Sequence, residues 1–198
     1  MYTSTMIQHT IISEPHPTLR SQSDAVVFPI ADSKHFSEIL QAMQTALYES
    51  GDGVALAAPQ INIPLRIFIV AGFVYDSISN YTGENKSPDR IYINPEIIKT
   101  GKLRKKFPGE GCLSVRYMYG TTKRYQSVTV RAWDQHGKMF TETGSGLLSQ
   151  IFQHEIDHLN GILFIDHAHD IKEMTDEEKT NHTHEMNQIL AQRNHNHL

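Results

Sequence analysis

Two histidines four residues apart bracket a glutamate in His154-Glu-Ile-Asp-His158, and the chain holds one thiol, Cys112. On a helix advancing about 100° per residue, positions i and i+4 lie roughly 40° apart on one face, so both imidazoles can converge on one metal ion. Glu155 points off that axis, where a carboxylate can take a proton from water at the metal. Burying these groups among Leu148, Ile151, Phe152 and Ile156 without a metal or partners would be costly, which weakens a reading as two core histidines. A catalytic site needs a third protein ligand and one open position. A third histidine placed three residues after Gly161 is excluded, because Phe164 stands there. Glu177 or Glu178 farther along would complete the ligand set of a zinc endopeptidase. Cys112, in Gly109-Glu-Gly-Cys-Leu-Ser114, is the other candidate; a thiolate with two imidazoles suits Zn(II), Fe(II) or Co(II).

These side chains must be positioned by a helix. Gly144-Ser-Gly146 and Asn160-Gly161 bracket one, and Leu147, Leu148, Ile151, Phe152, Ile156 and Leu159 surround its cylinder, which predicts burial on most sides. Phe36, Ile39, Leu40, Met43 and Leu47 recur at helical spacing after a Ser33 cap and stop at Ser50-Gly51, predicting an amphipathic helix. Residues 66–71 read as a buried strand, with shorter strands at 91–93, 96–99, 127–133, 138–142 and 162–165. Residues 74–90 read as a loop, and residues 1–30, with Pro15, Pro17 and Pro29, as an irregular arm laid over the domain. The fold expected is α+β, mostly antiparallel strands packed around a central buried helix carrying the HExxH metal motif.

At 198 residues the chain fits one domain with a tail, divided here into residues 1–170 and a polar, His-rich, partly helical segment 171–198. A formal net charge of −4 gives no global reason for a nucleic-acid or anionic-membrane partner. One cysteine excludes an internal disulfide and suits a reducing compartment, and no apolar run is long enough to span a bilayer. A soluble, cytoplasmic protein is expected.

Three separated blocks resemble the peptide deformylase family: Gly53-Val-Ala-Leu-Ala-Ala-Pro-Gln60, Glu110-Gly-Cys-Leu-Ser114 and Gln153-His-Glu-Ile-Asp-His-Leu-Asn-Gly161. Tyr92-Ile-Asn-Pro95, Val128-Thr-Val-Arg-Ala132 and Gly146-Leu-Leu148 extend the likeness over roughly residues 9–170. The resemblance implies a hydrolase that removes the formyl group from N-formylmethionyl nascent peptides and releases formate. It implies Cys112, His154 and His158 as ligands of one divalent metal ion, natively Fe(II), with Zn, Ni or Co able to replace it. Metal-bound water would attack the formyl carbon with Glu155 as general base and then acid, while Gln60 and the Leu113 N–H stabilise the oxyanion. The peptide would add as a strand beside Gly53, Val54 and Ala55, with its methionine near Glu110, Leu147, Ile151 and His154. A metal-holding interaction module without turnover is the non-enzyme alternative.

Departures from the family cluster at substrate positions. Ala55 stands where glycine is usual, and Arg116 and Tyr119 occupy places where many members have proline and a backbone-binding arginine. Arg116 or Arg124 is available as a substitute, and Gln150 replaces an apolar pocket residue. The ligands and the base are intact, so retained activity is expected. From Asp170 onward three Lys/Arg face six Asp/Glu, so at most weak ribosome association is expected of the tail. Its His-x-His pairs, His182/His184 and His195/His197, and the preceding His167/His169, read as solvated.

Overall fold

The computed structural model describes residue 7 and residues 9–28, 34–79, 82–83 and 86–195, with side chains as far as residue 188. The expected Ser33 cap, Pro29 and His197 lie outside the described residues, as does the side chain of His195. The amphipathic stretch forms α1 (Lys34–Glu49), and Phe36, Ile39, Leu40, Met43 and Leu47 all face the core. Five strands follow as one antiparallel sheet in the order β1-β2-β3-β6-β7: β1 (Ala55–Ala57), β2 (Ile67–Val70), β3 (Arg90–Thr100), β6 (Ser127–Trp133) and β7 (Met139–Ser145). A second antiparallel sheet, in the order β4-β5-β8, contains β4 (Arg104–Cys112), β5 (Val115–Tyr125) and β8 (His169–Glu173). The result is a mixed α and β fold built on antiparallel sheets.

The helix α3 (Leu147–Leu159) packs against β1, β2, β6 and β7 of the first sheet and against β5 of the second. Phe152 is fully buried there against Phe68 and Tyr92, with ring centroids 6.2 and 5.2 Å away. Gln153 fixes the helix to the sheets: its carbonyl accepts from the Tyr125 N–H at 2.9 Å and its amide donates to the Tyr125 carbonyl at 2.9 Å. This satisfies backbone groups at the corner where β5 turns into β6, groups that burial would otherwise leave unpaired.

Several local expectations need correction. Residues 74–90 are not all loop: α2 (Gly72–Ser79) extends into them, anchored by Asp89 accepting from the Gly72 N–H at 2.9 Å and Asp76 accepting from Ser87. Eight residues with β-branched and aromatic members carry little helical signal, so tertiary anchoring decides the conformation. Residues 162–165 form no strand; they lead into a 3-10 turn, Phe164–Asp166, closed by Asp166 accepting from the Leu163 N–H at 2.8 Å. The pieces at 91–93 and 96–99 belong to one strand, β3, bent by a register shift with Asn94 at φ 48°. The pair β4–β5 has no strict apolar alternation, because one face is exposed and the other holds ions. The strand β8 runs across the expected boundary at residue 170, and α4 (Asp176–His195) follows it.

Replacing Phe152 by alanine removes the ring that joins α3 to both β2 and β3. A loss of about 3–5 kcal/mol is expected, measured by urea unfolding.

Candidate active site and metal centre

The strand β4 is irregular where it delivers its functional residues. Its pairing with β5 shifts between Phe107 and Glu110 and again between Gly111 and Cys112, with Gly109 at φ 74°. Such bulges re-aim side chains. Here they turn Glu110 and Cys112 toward α3. Gly111 has to lack a side chain, since a Cβ there would lie 2.6 Å from the Tyr119 ring. The two-residue turn Leu113-Ser114 then joins β4 to β5.

Cys112 Sγ lies 3.2 Å from His158 Nε2, and one donor atom from each of Cys112, His154 and His158 falls within 4.8 Å of the others. Sulfur and nitrogen bound to one tetrahedral ion stand about 3.5 Å apart, so the spacing and the soft, borderline donor set fit a Zn(II)- or Fe(II)-type cation. His154 donates from Nδ1 to Glu110 Oε1 at 2.9 Å, which fixes the tautomer and leaves Nε2 for a metal. Glu110 also accepts from Arg124 Nε at 2.8 Å and Nη2 at 2.6 Å, from Thr122 at 2.6 Å and from Gln150 at 2.9 Å. Arg124 further donates to Asp157 at 2.8 Å.

The electrostatics follow from these contacts. Burial would raise the Glu110 carboxyl, but hydrogen bonds from His154 and Arg124 hold it far below the usual carboxylate range. Burial opposes charge on His154 too, yet the Cys112 and Glu110 hydrogen bonds raise it well above a normal imidazole. A cation favoured at that ring can be a proton or a metal ion, and binding of the metal releases the proton. Burial, and then the positive His154, push His158 well down, keeping it neutral as a ligand must be. Glu155 is pushed up to about 7, chiefly by burial, and its Oε2 has no protein partner. A carboxylate so placed can exchange a proton near neutral pH.

Cys112, His154, Glu155 and Gln60 line a cavity of about 490 Å³ shared by Gly53, Val54, Ala55, Glu110, Leu113, Leu147, Gln150 and Ile151. Gln60 is fully oriented: its carbonyl accepts from the Ala57 N–H at 2.8 Å, and its amide faces Cys112 Sγ at 3.7 Å and Ser114 Oγ at 3.3 Å. The N-terminal arm holds this corner through the Ile12 N–H to the Gln60 backbone carbonyl at 2.8 Å and the Glu14 N–H to the Ser114 backbone carbonyl at 3.0 Å. As an edge strand of its sheet, β1 leaves one side open for pairing. Gly53 precedes it in a tight place, where a Cβ would lie 2.6 Å from Ser50 Oγ and 2.8 Å from the Leu47 side chain.

The remaining candidates separate clearly. Glu178 is exposed and accepts from the Thr175 N–H at 2.7 Å, capping α4, and it belongs to no ligand cluster among the described residues. Arg124, with its side chain 5% exposed, is committed to Glu110 and Asp157 and is not free for a peptide. Arg116 lines the cavity and pairs with Asp52, a residue not singled out from sequence although it adjoins Gly53. His182 also reaches the cavity, so the tail is not wholly solvated. No helix among the described residues is long and apolar enough to cross a membrane.

Two imidazoles and a cysteine sulfur that could hold a metal ion lie beside a buried glutamate with an unpartnered oxygen, next to an edge strand, a set of groups suited to a metallohydrolase. Residues 8–174 match the family described as polypeptide deformylase, and the chain belongs to that family. A peptide deformylase of Staphylococcus epidermidis is 38% identical over 170 residues, covering 79% of this chain and 88% of that protein. One from Agrobacterium fabrum is 38% identical over 168 residues, covering 82% and 88%. Among solved structures, the Met-Ala-Ser-bound class I type b enzyme of Acinetobacter baumannii superposes with a TM-score of 0.70 at 28% identity, covering 82% of this chain and 99% of that one. A probable peptide deformylase from Synechococcus phage S-SSM7 gives 0.69 at 35% identity, covering 80% and 98%.

Glu110→Gln removes the charge that orients His154 and leaves Arg124 underpaired. Metal affinity is expected to fall about 10–100-fold, measured by chelator competition, with about 3–5 kcal/mol lost in urea unfolding.

Proposed function

We propose that this chain removes the N-formyl group from N-formylmethionyl nascent peptides by hydrolysis, releasing formate, with Cys112, His154 and His158 holding one divalent metal ion. The observation that carries the reading is the approach of Cys112 to the two α3 histidines beside an unpartnered, buried Glu155. When bound, the metal supplies Lewis acidity, making a water more acidic and polarising the formyl carbonyl. Fe(II) is the native ion in this reading, with Zn, Ni or Co as replacements, and the thiolate ligand requires a reducing compartment such as the cytoplasm.

Glu155 receives the proton of the attacking water and returns it to the amine as the carbon–nitrogen bond breaks. Its shift toward neutrality serves both transfers, since a base that gives its proton back needs comparable access to both states. As negative charge develops on the formyl oxygen, the Gln60 amide and the Leu113 N–H donate to it. The Ala57 N–H holds the Gln60 carbonyl away, so the amide needs no reorientation at that moment; one such donor is worth about 2.7–4 kcal/mol. The peptide pairs with the open edge at Gly53, Val54 and Ala55, and its methionine occupies the wall of Leu147, Ile151 and Gln150. Glu110 bounds that pocket but acts through His154. In this assignment α3 is the central, metal-bearing helix, the catalytic unit runs through β8, and the acidic tail gives little basis for strong ribosome docking.

Anaerobic assay of formyl-Met-Ala-Ser tests the assignment. The unaltered protein releases formate; Glu155→Gln keeps the metal and loses turnover; Cys112→Ala loses both. Gln60→Ala retains metal and lowers kcat about 10²–10³-fold. No formate from metal-loaded, unaltered protein would overturn the reading.

A further inference from the structure

Nine of the 18 Lys and Arg residues lie at positions 97–133, a stretch whose only carboxylate is Glu110. Glu110 is buried and committed to His154 and Arg124. Three of the nine cations are paired: Arg116 with Asp52, Arg124 with Glu110 and Asp157, and Arg131 with Glu96. The other six, Lys99, Lys102, Arg104, Lys105, Lys106 and Lys123, are exposed, and none pairs with a carboxylate among the described residues. The net charge of −4 thus conceals a concentrated positive segment.

The topology gathers these cations at one corner. In the β4–β5 register Lys106 stands directly opposite Lys123. Like charges so placed repel each other, and among the described residues no carboxylate relieves them. Lys99 lies near the end of β3, and Lys102 sits in the three-residue link to β4. That link is tied down on both sides: the Gly101 N–H donates to the Ser127 carbonyl at 2.8 Å, and the Leu103 carbonyl accepts from the Gln126 N–H at 2.9 Å. Amid the cations stand large aliphatic side chains, Leu103 at 66% exposure and Ile98 at 43%. The Gly146 N–H donates to the Gln126 carbonyl at 3.0 Å, which brings the start of α3 to the same corner. Leu147, the first residue of α3, is exposed and lines the cavity that contains Cys112 and Glu155.

We propose that the β3–β4 link and the exposed cations of β3, β4 and β5 form a docking surface for an anionic lipid bilayer, with Leu103 entering the interface and the cations supplying attraction to the lipid phosphates. Aliphatic groups set among Lys and Arg gain by leaving water at a headgroup layer, whereas a phosphodiester backbone offers them nothing. Tyr125, opposite Arg104 in the register, is covered by the Arg104 guanidinium 4.9 Å from its ring centroid and is not free to stack on a base. The attachment is peripheral, since no helix among the described residues is long and apolar enough to cross a membrane. Its affinity is mainly electrostatic and falls with salt. The surface stands apart from the metal ligands and does not rest on the deformylase reading; it holds the Leu147 side of the cavity near the bilayer.

Co-sedimentation of full-length, metal-loaded protein tests the surface. The probes are vesicles of phosphatidylcholine alone, vesicles of phosphatidylcholine and phosphatidylglycerol in equal parts, and double-stranded RNA. Binding to the mixed vesicles at low salt is expected, with loss at high salt and none to phosphatidylcholine alone. Replacing Lys102, Lys105 and Lys106 together by alanine lowers the partition about 100-fold, at about fivefold for each cation near the surface. Leu103→Ser lowers it about three- to tenfold and leaves retention on RNA unchanged. Both variants keep the metal content and unfolding transition of the unaltered protein, which separates lost docking from lost folding. No binding to the mixed vesicles, equal binding to phosphatidylcholine alone, indifference to Leu103→Ser, or tighter binding to RNA than to vesicles would each overturn the membrane surface.

Discussion

The structure depends most on the buried pairing of Glu110 with Arg124. Both side chains are almost wholly removed from water, at 3% and 5% exposure, and removing one partner of such a pair leaves an uncompensated charge. The pair is therefore stable only as a complete network. Thr122 and Gln150 fill remaining acceptor positions on Glu110, Asp157 takes another part of Arg124, and His154 takes the Glu110 oxygen that faces the cavity. One electrostatic requirement thus joins β4, β5 and α3 and also sets the orientation of the His154 ring. Structural and chemical roles coincide because the carboxylate that compensates a buried arginine is the group that selects the His154 tautomer.

A second constraint is steric. The cavity wall near Cys112 is tight at two glycines, since side chains at Gly53 and Gly111 would collide with Leu47, Ser50 or the Tyr119 ring. Leu56, Ala57 and Ala58 continue this wall inward and are completely buried. Gln60 closes the segment, with one end of its amide satisfied by the Ala57 N–H and the other left toward Cys112. The first motif block folds back on itself in a short 3-10 turn and orients the Gln60 amide through the nearby Ala57 N–H. Cys112, in contrast, reaches the site only because two register shifts turn its strand.

The outer part of the cavity, where Tyr117 and His182 lie, has a different energetic character. Tyr117 in the left-handed region carries strain of about 1–3 kcal/mol, which persists only where the surroundings over-determine it. Those surroundings include a polar helix with few half-buried side chains, attached at the edge of the fold rather than through its core. Such an element opens at less expense than α3, whose apolar residues pack against both sheets. The cavity consequently has a rigid inner end, at Cys112, His154 and Glu155, and a more weakly held outer end.

Much of the inner site was legible because its information is local. The His154–His158 spacing is a property of any helix, the glycine brackets mark where α3 starts and stops, and the apolar positions of α1 and α3 repeat at helical intervals that survive in the structure. The lone thiol in its glycine-rich segment could be matched to the histidines by donor chemistry. The α2 helix was not legible, since its start is anchored by Asp89 and Ser87 from farther along the chain. Nor were β4 and β5, whose inward face is stabilised by paired ions that no hydrophobic period records. By itself the sequence determined the helix that carries His154, Glu155 and His158, the donor types that meet there and the family. Only the tertiary structure decided that Glu110 pairs with His154 and Arg124, and that His182 meets Asp52 at a separation of 130 positions. The physical reason is that charge pairing acts through space, and its partners carry no periodic signal along the chain.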